Sequence, residues 1–106
     1  MIGAPPLRYV KMNGLGNEIV VVDLRGTSKV FTEDEVRAIA ADTDSHFDQM
    51  MVLHSPRQDR ADAFVRIYNA DGSEAGACGN GMRCVGWWMA RGRANKQFKV
   101  ETSAGL

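Results

Sequence analysis

Residues 78–91 read CGNGMRCVGWWMAR, a glycine-flanked cysteine followed by an apolar run. The apolar side chains recur at helical spacing and predict a helix from Asn80 to about Arg91, with Gly92 as its stop. Cys84, Trp87 and Trp88 extend the apolar character around the helix, so it is expected to be buried. The main apolar face consists of Met82, Val85, Gly86 and Met89.

Strand and turn signals flank this helix. Two apolar runs joined by a glycine-rich bend at Asn13–Asn17 predict a hairpin, and Ala63–Asn69 alternates as a half-buried strand does. Residues 69–72, Asn-Ala-Asp-Gly, predict a turn after which Ser73–Ala77 returns as a second arm. The two strands of the predicted hairpin are Leu7–Met12 and Ile19–Asp23. Further strands are predicted at Gln49–Leu53 and Phe98–Thr102.

A further helix is predicted from Glu33 to Ala41. Thr32 and Glu35 have the spacing of a capping box, and Phe31 and Val36 have that of a hydrophobic staple. Together the elements predict an α+β domain in which a rolled mixed sheet wraps the apolar helix, with a generic α+β sandwich as the alternative.

Length and composition fit one globular domain spanning residues 1–106. An apolar fraction of 44% and a charged fraction of 25% exclude the disordered classes of protein. The chain ends at Ser103-Ala-Gly-Leu106 without a polar tail or a helix cap. We therefore interpret the domain as truncated at this point.

The charge pattern narrows the possible partners. Thirteen basic residues balance thirteen acidic ones without a basic stripe, which argues against nucleic-acid binding. Apolar stretches such as Ile19–Val22 are too short to span a membrane, and the N-terminus lacks a signal-peptide pattern. We expect a cytoplasmic protein.

Cysteine and histidine spacing bears on metal and redox chemistry. Cys78 and Cys84 are too few for a disulfide scaffold, and they lack the CxxC spacing of thiol redox proteins, so both are expected to be reduced thiols. His46 and His54 lie eight residues apart without a metal-ligand pattern. No metal site is predicted.

Cys78 precedes the first turn of the predicted buried helix, where unpaired backbone N–H groups favour negative charge. A thiolate is stabilised at such a position, and the pKa of the thiol is lowered from about 8.5. Gly79 and Gly81 would also let a carboxylate approach these N–H groups closely. Cys78 is thus a candidate base or nucleophile, and the alternative is a small buried residue ahead of a helix.

Cys84 has a different environment. Six helical residues place it about 9 Å along the axis from Cys78 and rotated by roughly 240°. Its neighbours Val85 and Trp88 indicate a packed thiol outside the site of Cys78.

The motif Asn69-Ala-Asp-Gly-Ser-Glu74, followed by Ala77-Cys78-Gly-Asn-Gly-Met-Arg-Cys84, resembles the signature around the first catalytic cysteine of diaminopimelate epimerases. Three further segments stand in that family's order, so the resemblance extends over essentially the whole chain. They are Lys11–Asn17, Phe47–Gln49 and Val100–Gly105.

The resemblance implies two similar domains, each a barrel-like mixed sheet around a central helix, with the substrate in the cleft between them. This chain would be the N-terminal domain, without its C-terminal counterpart. The family interconverts LL- and meso-diaminopimelate in the route to lysine and peptidoglycan. It uses neither pyridoxal phosphate nor a metal, so no cofactor is expected.

The family's mechanism has a physical reason for two domains. Inversion at carbon needs proton removal on one face and delivery on the other, and each domain supplies a cysteine for this. The resemblance assigns the N-terminal cysteine to Cys78 and the neutralisation of developing charge to the helix start at Gly79 and Asn80. It assigns substrate binding through side-chain amides to Asn17, Gln49 and Asn69.

Two other functions are compatible with these residues. Proline racemases and hydroxyproline epimerases resemble this fold and use paired thiols, and a non-catalytic half-domain could bind an amino-acid carboxylate without turning it over. We expect the isolated chain to be inactive because the second thiol is absent. Its uncovered cleft face is expected to favour association into a homodimer.

Overall fold

The structure is a computed structural model that describes residues 8–14, 17–42, 46–57, 61–76, 79–91 and 99–102. In chain order its elements are β1 (Arg8–Gly14), β2 (Asn17–Asp23), α1 (Glu33–Ala41), β3 (Gln49–His54), β4 (Ala63–Asn69), β5 (Glu74–Ala75), α2 (Gly79–Ala90) and β6 (Val100–Glu101). No helix in this part of the chain has the length and apolarity needed to cross a membrane.

The described strands form one mixed sheet in the order β1-β2-β3-β4-β5, with β6 also paired to β4. The hairpin of β1 and β2 is antiparallel, as predicted, and so is the pair of β3 and β4. β2 and β3 are parallel, which requires a crossover connection, and α1 lies within that connection. The predicted α+β class with a mixed sheet is confirmed.

A helix covers each face of the sheet. On one face, Val85, Trp88 and Met89 of α2 pack with residues of β2, β3 and β4. On the other face, Val36 and Ala40 of α1 pack in a second cluster. The first cluster includes Ile19, Val21, Met51, Leu53, Ala63, Val65 and Ile67; the second includes Val20, Val22, Met50, Val52 and Tyr68.

This arrangement corrects the expectation for β4. The alternation along Ala63–Asn69 predicted a half-buried strand, but Phe64 and Tyr68 are 4% exposed on one face while Val65 and Ile67 are 1% and 2% exposed on the other. The polar residue Arg66 gave the appearance of a solvent face, although Tyr68 packs in the cluster with α1. The guanidinium groups of Arg57 and Arg66 lie 5.0 and 5.3 Å from the Phe64 ring centroid.

The helix α1 spans Glu33–Ala41, as predicted from its capping box. The Thr32 hydroxyl accepts the Glu35 N–H at 3.1 Å, and the Glu35 carboxylate accepts the Thr32 N–H at 2.9 Å. The staple residues Phe31 and Val36 are both buried in the second cluster. The local sequence signal was sufficient here because every interaction lies within one turn.

The helix α2 is buried on one face rather than all round. Cys84, Val85 and Met89 are buried, and Trp88 is 8% exposed, but Trp87 is 49% exposed. The expectation of an entirely buried helix was therefore wrong at Trp87. The Arg91 guanidinium lies 5.8 Å from the Trp87 ring centroid and 4.0 Å from that of Trp88.

The strands differ from their predicted bounds mainly at their ends. β1 and β2 run further into the glycine-rich bend, where Gly14 pairs with Asn17. β5 and β6 are two residues each, shorter than the predicted arms. Leu7, Ala77, Gly92, Phe98 and the chain end at 103–106 lie outside the described residues.

A buried carboxylate joins α2 to the end of β2. Asp23, 5% exposed, accepts hydrogen bonds from the Trp88 indole N–H at 2.9 Å and from the Arg25 guanidinium at 2.7 and 3.0 Å. Burial raises the pKa of Asp23, but the hydrogen bonds from Arg25 and Trp88 outweigh it and lower the pKa from 3.8 to about 2.

Asp23→Asn should therefore destabilise the fold in a pH-dependent way. Because the folded-state pKa is depressed, the stabilisation from the charge is complete above pH 3.8 and is lost as the pH falls through about 2. We expect a loss of about 2 kcal/mol in the free energy of unfolding at pH 7, shrinking between these two values. Urea denaturation between about pH 2 and pH 7 measures the difference in the free energy of unfolding, and Asp34→Asn, at an exposed position, is the control. A difference that does not change with pH would contradict the prediction.

The packing of α2 on the sheet generates a second expectation. A Cβ on Gly81 would overlap the Sδ of the fully buried Met51, whereas a Cβ on Gly86 would meet nothing within 4 Å. Gly81→Ala should lower the free energy of unfolding by about 1–3 kcal/mol through overpacking. Gly86→Ala should raise it by up to about 1 kcal/mol through helix propensity. Chemical denaturation of both variants tests the contrast, and equal effects would refute it.

Candidate active site

Three of the predicted substrate-binding positions meet at one edge of the sheet. Ile19 of β2 pairs with Gln49, the first residue of β3, and Gln49 pairs with Asn69, the last residue of β4. Asn17 begins β2 at the same edge, where its backbone pairs with Gly14. The parallel pair starts at this edge and the antiparallel β4 ends there, so residues distant in sequence become neighbours.

Gln49 and Asn69 also share a face of the sheet. They alternate in phase with Met51 and Ile67, which pack against α2. Their side chains touch: the Gln49 Nε2 donates to the Asn69 Oδ1 at 3.4 Å. The structure therefore brings two predicted binding residues together on the α2 side of the sheet.

The first turn of α2 packs on the same face of the sheet. Gly81 packs directly on Met51, which is two residues along β3 from Gln49 on the same face. Two residues of strand correspond to about 7 Å along β3 between Met51 and Gln49, and Gly81 belongs to the N-terminal turn of α2. Unpaired backbone N–H groups and the positive end of the helix dipole occur at such an end.

The remaining predicted site residues are placed only in part. Gly79 and Asn80 begin α2. Cys78, the predicted catalytic thiol, lies just before α2 and outside the described residues. Cys84, predicted to be a packed thiol, is buried in the cluster under α2 with 6% exposure.

Asp48 holds the starts of β2 and β3 together. Its carboxylate accepts the Glu18 N–H at 2.7 Å, and its own N–H donates to the Glu18 carbonyl at 2.8 Å. Glu18 follows Asn17 and Asp48 precedes Gln49, so this reciprocal pair links two predicted binding positions. Sequence reasoning gave Asp48 no role, because the acidic residue beside Gln49 signals a contact only once the parallel register is known.

The turn after β4 is held from the other face of the sheet. Gly72 adopts φ +92° and donates its N–H to the Asn69 carbonyl at 3.0 Å. A Cβ at Gly72 would lie 2.9 Å from the Glu33 carbonyl oxygen at the start of α1, and Arg37 donates to the Asp71 carbonyl at 3.4 Å. The close approach and the left-handed backbone both require glycine here.

The arrangement suits an amino acid as ligand. Side-chain amides donate to carboxylates and accept from ammonium groups, and a helix N-terminus adds N–H donors for a carboxylate. In the part of the chain that the structure describes, no group of three or more His, Cys, Asp or Glu residues could hold a metal ion. Side-chain amides and helix-terminal N–H groups of this kind can form hydrogen bonds with a small zwitterion.

The contact of Asp48 with Glu18 should be measurable as amide protection. Asp48→Ala leaves the Glu18 N–H without its carboxylate acceptor, and we expect its hydrogen exchange to accelerate about five- to tenfold. Asp48→Asn retains a side-chain oxygen and should keep most of the protection. Asp62→Ala, which removes the acceptor of the Lys99 N–H, is the matched control. Unchanged Glu18 exchange in Asp48→Ala would show that the carboxylate does not hold these strands together.

Sequence relatives with curated names agree in one family. The chain is 60% identical over 103 residues to a protein of Methylobacterium sp. (strain 4-46) named diaminopimelate epimerase, covering 93% of this chain and 35% of the relative. It is 57% identical over 105 residues to a protein of the same name from Methylorubrum extorquens (strain PA1), covering 93% and 36%. The chain thus spans about a third of the length of these relatives.

A solved structure supports the fold. The chain superposes on the crystal structure of a phenazine biosynthesis protein of the PhzF family from Enterococcus faecalis with a TM-score of 0.67 and 14% identity, covering 93% of this chain and 38% of that one. At this identity the likeness concerns the fold alone. The family model for diaminopimelate epimerase matches residues 9–106. The chain therefore belongs to the diaminopimelate epimerase family.

Proposed function

We propose that the complete protein interconverts LL- and meso-diaminopimelate by proton transfer at the α-carbon, in the route to lysine and peptidoglycan precursors. The observation that carries this is the contact between Gln49 and Asn69 on the face of the sheet that packs against α2, the helix that follows Cys78 in the sequence. Relatives at 57–60% identity carry the name diaminopimelate epimerase. This chain would supply one thiol and half of the substrate cleft.

In the proposed reaction a thiolate removes the α-proton and a thiol on the opposite face delivers another. The electron pair of the broken C–H bond is held in the carbanion until the second proton arrives, so one enzyme thiol gains a proton and the other loses one. Cys78 is the proposed thiol on one face. The other belongs to a C-terminal domain beyond this chain.

Charge stabilisation is the difficult part of this chemistry, because the carbanion forms next to a carboxylate. The N–H groups at the start of α2, at Gly79 and Asn80, are proposed to bind the α-carboxylate and offset that charge with fixed dipoles. Asn17, Gln49 and Asn69 are proposed to bind ammonium and carboxylate groups of the substrate through their amides. None of these steps uses a cofactor.

Replacement of Cys78 tests the assignment in the complete reading frame that encodes this chain. Proton NMR monitors the reaction in D2O with reductant. The wild-type protein should exchange the α-proton of LL-diaminopimelate and form the meso isomer. Cys78→Ala should lower kcat on the order of a thousandfold or more, because one of the two proton-transfer groups is lost. Cys84→Ala, which removes a buried packed thiol, should retain most of the activity.

Four results would contradict the proposal or part of it. Retained turnover in Cys78→Ala would remove Cys78 from the mechanism. Preference for proline or hydroxyproline over diaminopimelate would reassign the substrate, and binding without α-proton exchange would identify a non-catalytic domain. Robust epimerisation by residues 1–106 alone would show that the second thiol is not required.

Whether that isolated chain associates through its cleft face stays a prediction, and analytical sedimentation measures it.

A further inference from the structure

Four side chains form a continuous hydrogen-bonded series at the candidate site. The Ser73 hydroxyl lies 2.6 Å from the Asp71 Oδ1, the Asn69 Nδ2 lies 3.1 Å from the Ser73 Oγ, and the Gln49 Nε2 lies 3.4 Å from the Asn69 Oδ1. We call this series the Asp71 relay. It begins at an exposed carboxylate and ends at two proposed substrate-binding amides.

The ionised Asp71 carboxylate determines which group donates and which accepts in each hydrogen bond of the Asp71 relay. An ionised carboxylate only accepts hydrogen bonds, so the Ser73 hydroxyl must donate its single proton to Asp71. The Ser73 oxygen is then left as an acceptor, and the group of Asn69 that faces it must be the NH2. The Asn69 oxygen consequently faces Gln49, whose NH2 must donate to it.

The backbone of the turn holds the start of the relay in place. Asp71 also accepts the Ser73 N–H at 2.9 Å, and the Asn69 N–H donates to the Ser73 carbonyl at 2.8 Å. The hydrogen bonds from the Ser73 hydroxyl and N–H lower the pKa of Asp71, which keeps the carboxylate ionised at neutral pH. Asp71 therefore remains an acceptor at neutral pH, and each hydrogen bond of the series donates toward it.

We propose that Asp71 and Ser73 are positioning residues that fix which end of the Asn69 and Gln49 amides donates and which accepts. An amide that rotates by 180° exchanges its oxygen and its NH2, presenting an acceptor where the ligand needs a donor. The relay selects one of the two orientations before the ligand arrives. The identity of the ligand rests on the proposed function, but the orientation of the amides does not.

Asp71→Asn is the most selective change, because it keeps the shape of the side chain. The oxygen of the new amide can still accept from the Ser73 N–H and hydroxyl, but without the negative charge it holds the hydroxyl proton less firmly, so that proton can also point at Asn69 and the reversed amide gains population. In the complete protein we expect KM for LL-diaminopimelate to rise roughly three- to tenfold while kcat changes less than threefold. Ser73→Ala should act similarly, and Ser73→Thr, which retains the hydroxyl, should restore the wild-type KM.

The matched control is Asp62→Asn, an exposed aspartate that accepts a backbone N–H from Lys99 at the other end of β4. It should leave KM unchanged. A general loss of folding would lower the melting temperature and kcat in parallel, whereas a positioning role predicts a change in KM at constant melting temperature. Unchanged KM in Asp71→Asn and Ser73→Ala would overturn the proposal.

A second measurement does not depend on turnover. In 15N-edited NMR spectra of the complete protein, the Asn69 side-chain NH2 should be shifted and protected from exchange, and Asp71→Asn should move its resonances while Ser73→Thr should not. An Asn69 NH2 signal that is indifferent to Asp71→Asn would refute the relay. Absence of turnover in the wild type with an intact NMR response would instead reject the diaminopimelate assignment and support the relay.

Discussion

The parallel pairing of β2 with β3 is the constraint on which the rest of the structure depends. It places Ile19 beside Gln49, so both strands start at the same edge of the sheet. The antiparallel return of β4 then brings Asn69 to that edge. The connection between parallel strands must cross over the sheet, and α1 serves this purpose while covering one face.

Burial on both faces follows from the same topology. With α1 on one side and α2 on the other, the central strands lose their solvent face, and residues such as Met50 and Met51 are both fully buried. The absence of a side chain at Gly81 lets α2 approach the sheet closely at Met51.

Features decided within a few residues were predictable from sequence. The capping box of α1, the Asn69–Gly72 turn and the bounds of β4 match the structure because local chemistry determines them. Tertiary context determined what was missed. The exposure of Trp87 and the burial of Phe64 depend on which elements cover each face, and the contact of Asp48 with Glu18 depends on a register that joins residues 30 positions apart.

The candidate site also has features that were predictable from sequence and features that only the structure shows. Its residue types were named from the family motif, and the contact of Gln49 with Asn69 places two of them together, while Cys78 falls outside the described residues. The roles of Asp71 and Ser73 were not foreseen, since a turn motif usually explains its polar residues by backbone hydrogen bonds alone. Only the side-chain distances connect them to Asn69.

The edge of the sheet that carries Gln49 and Asn69 and the opposite edge differ in their tolerance of inserted residues. The connection from His54 to Ala63 leaves from the edge away from Gln49 and Asn69, where β3 ends and β4 begins. An insertion there falls outside the paired residues of β3 and β4 and adds only slowly to the entropy of loop closure. Across a lineage, this loop can accumulate length changes, whereas a single added residue between Asn69 and Ser73 would break the turn.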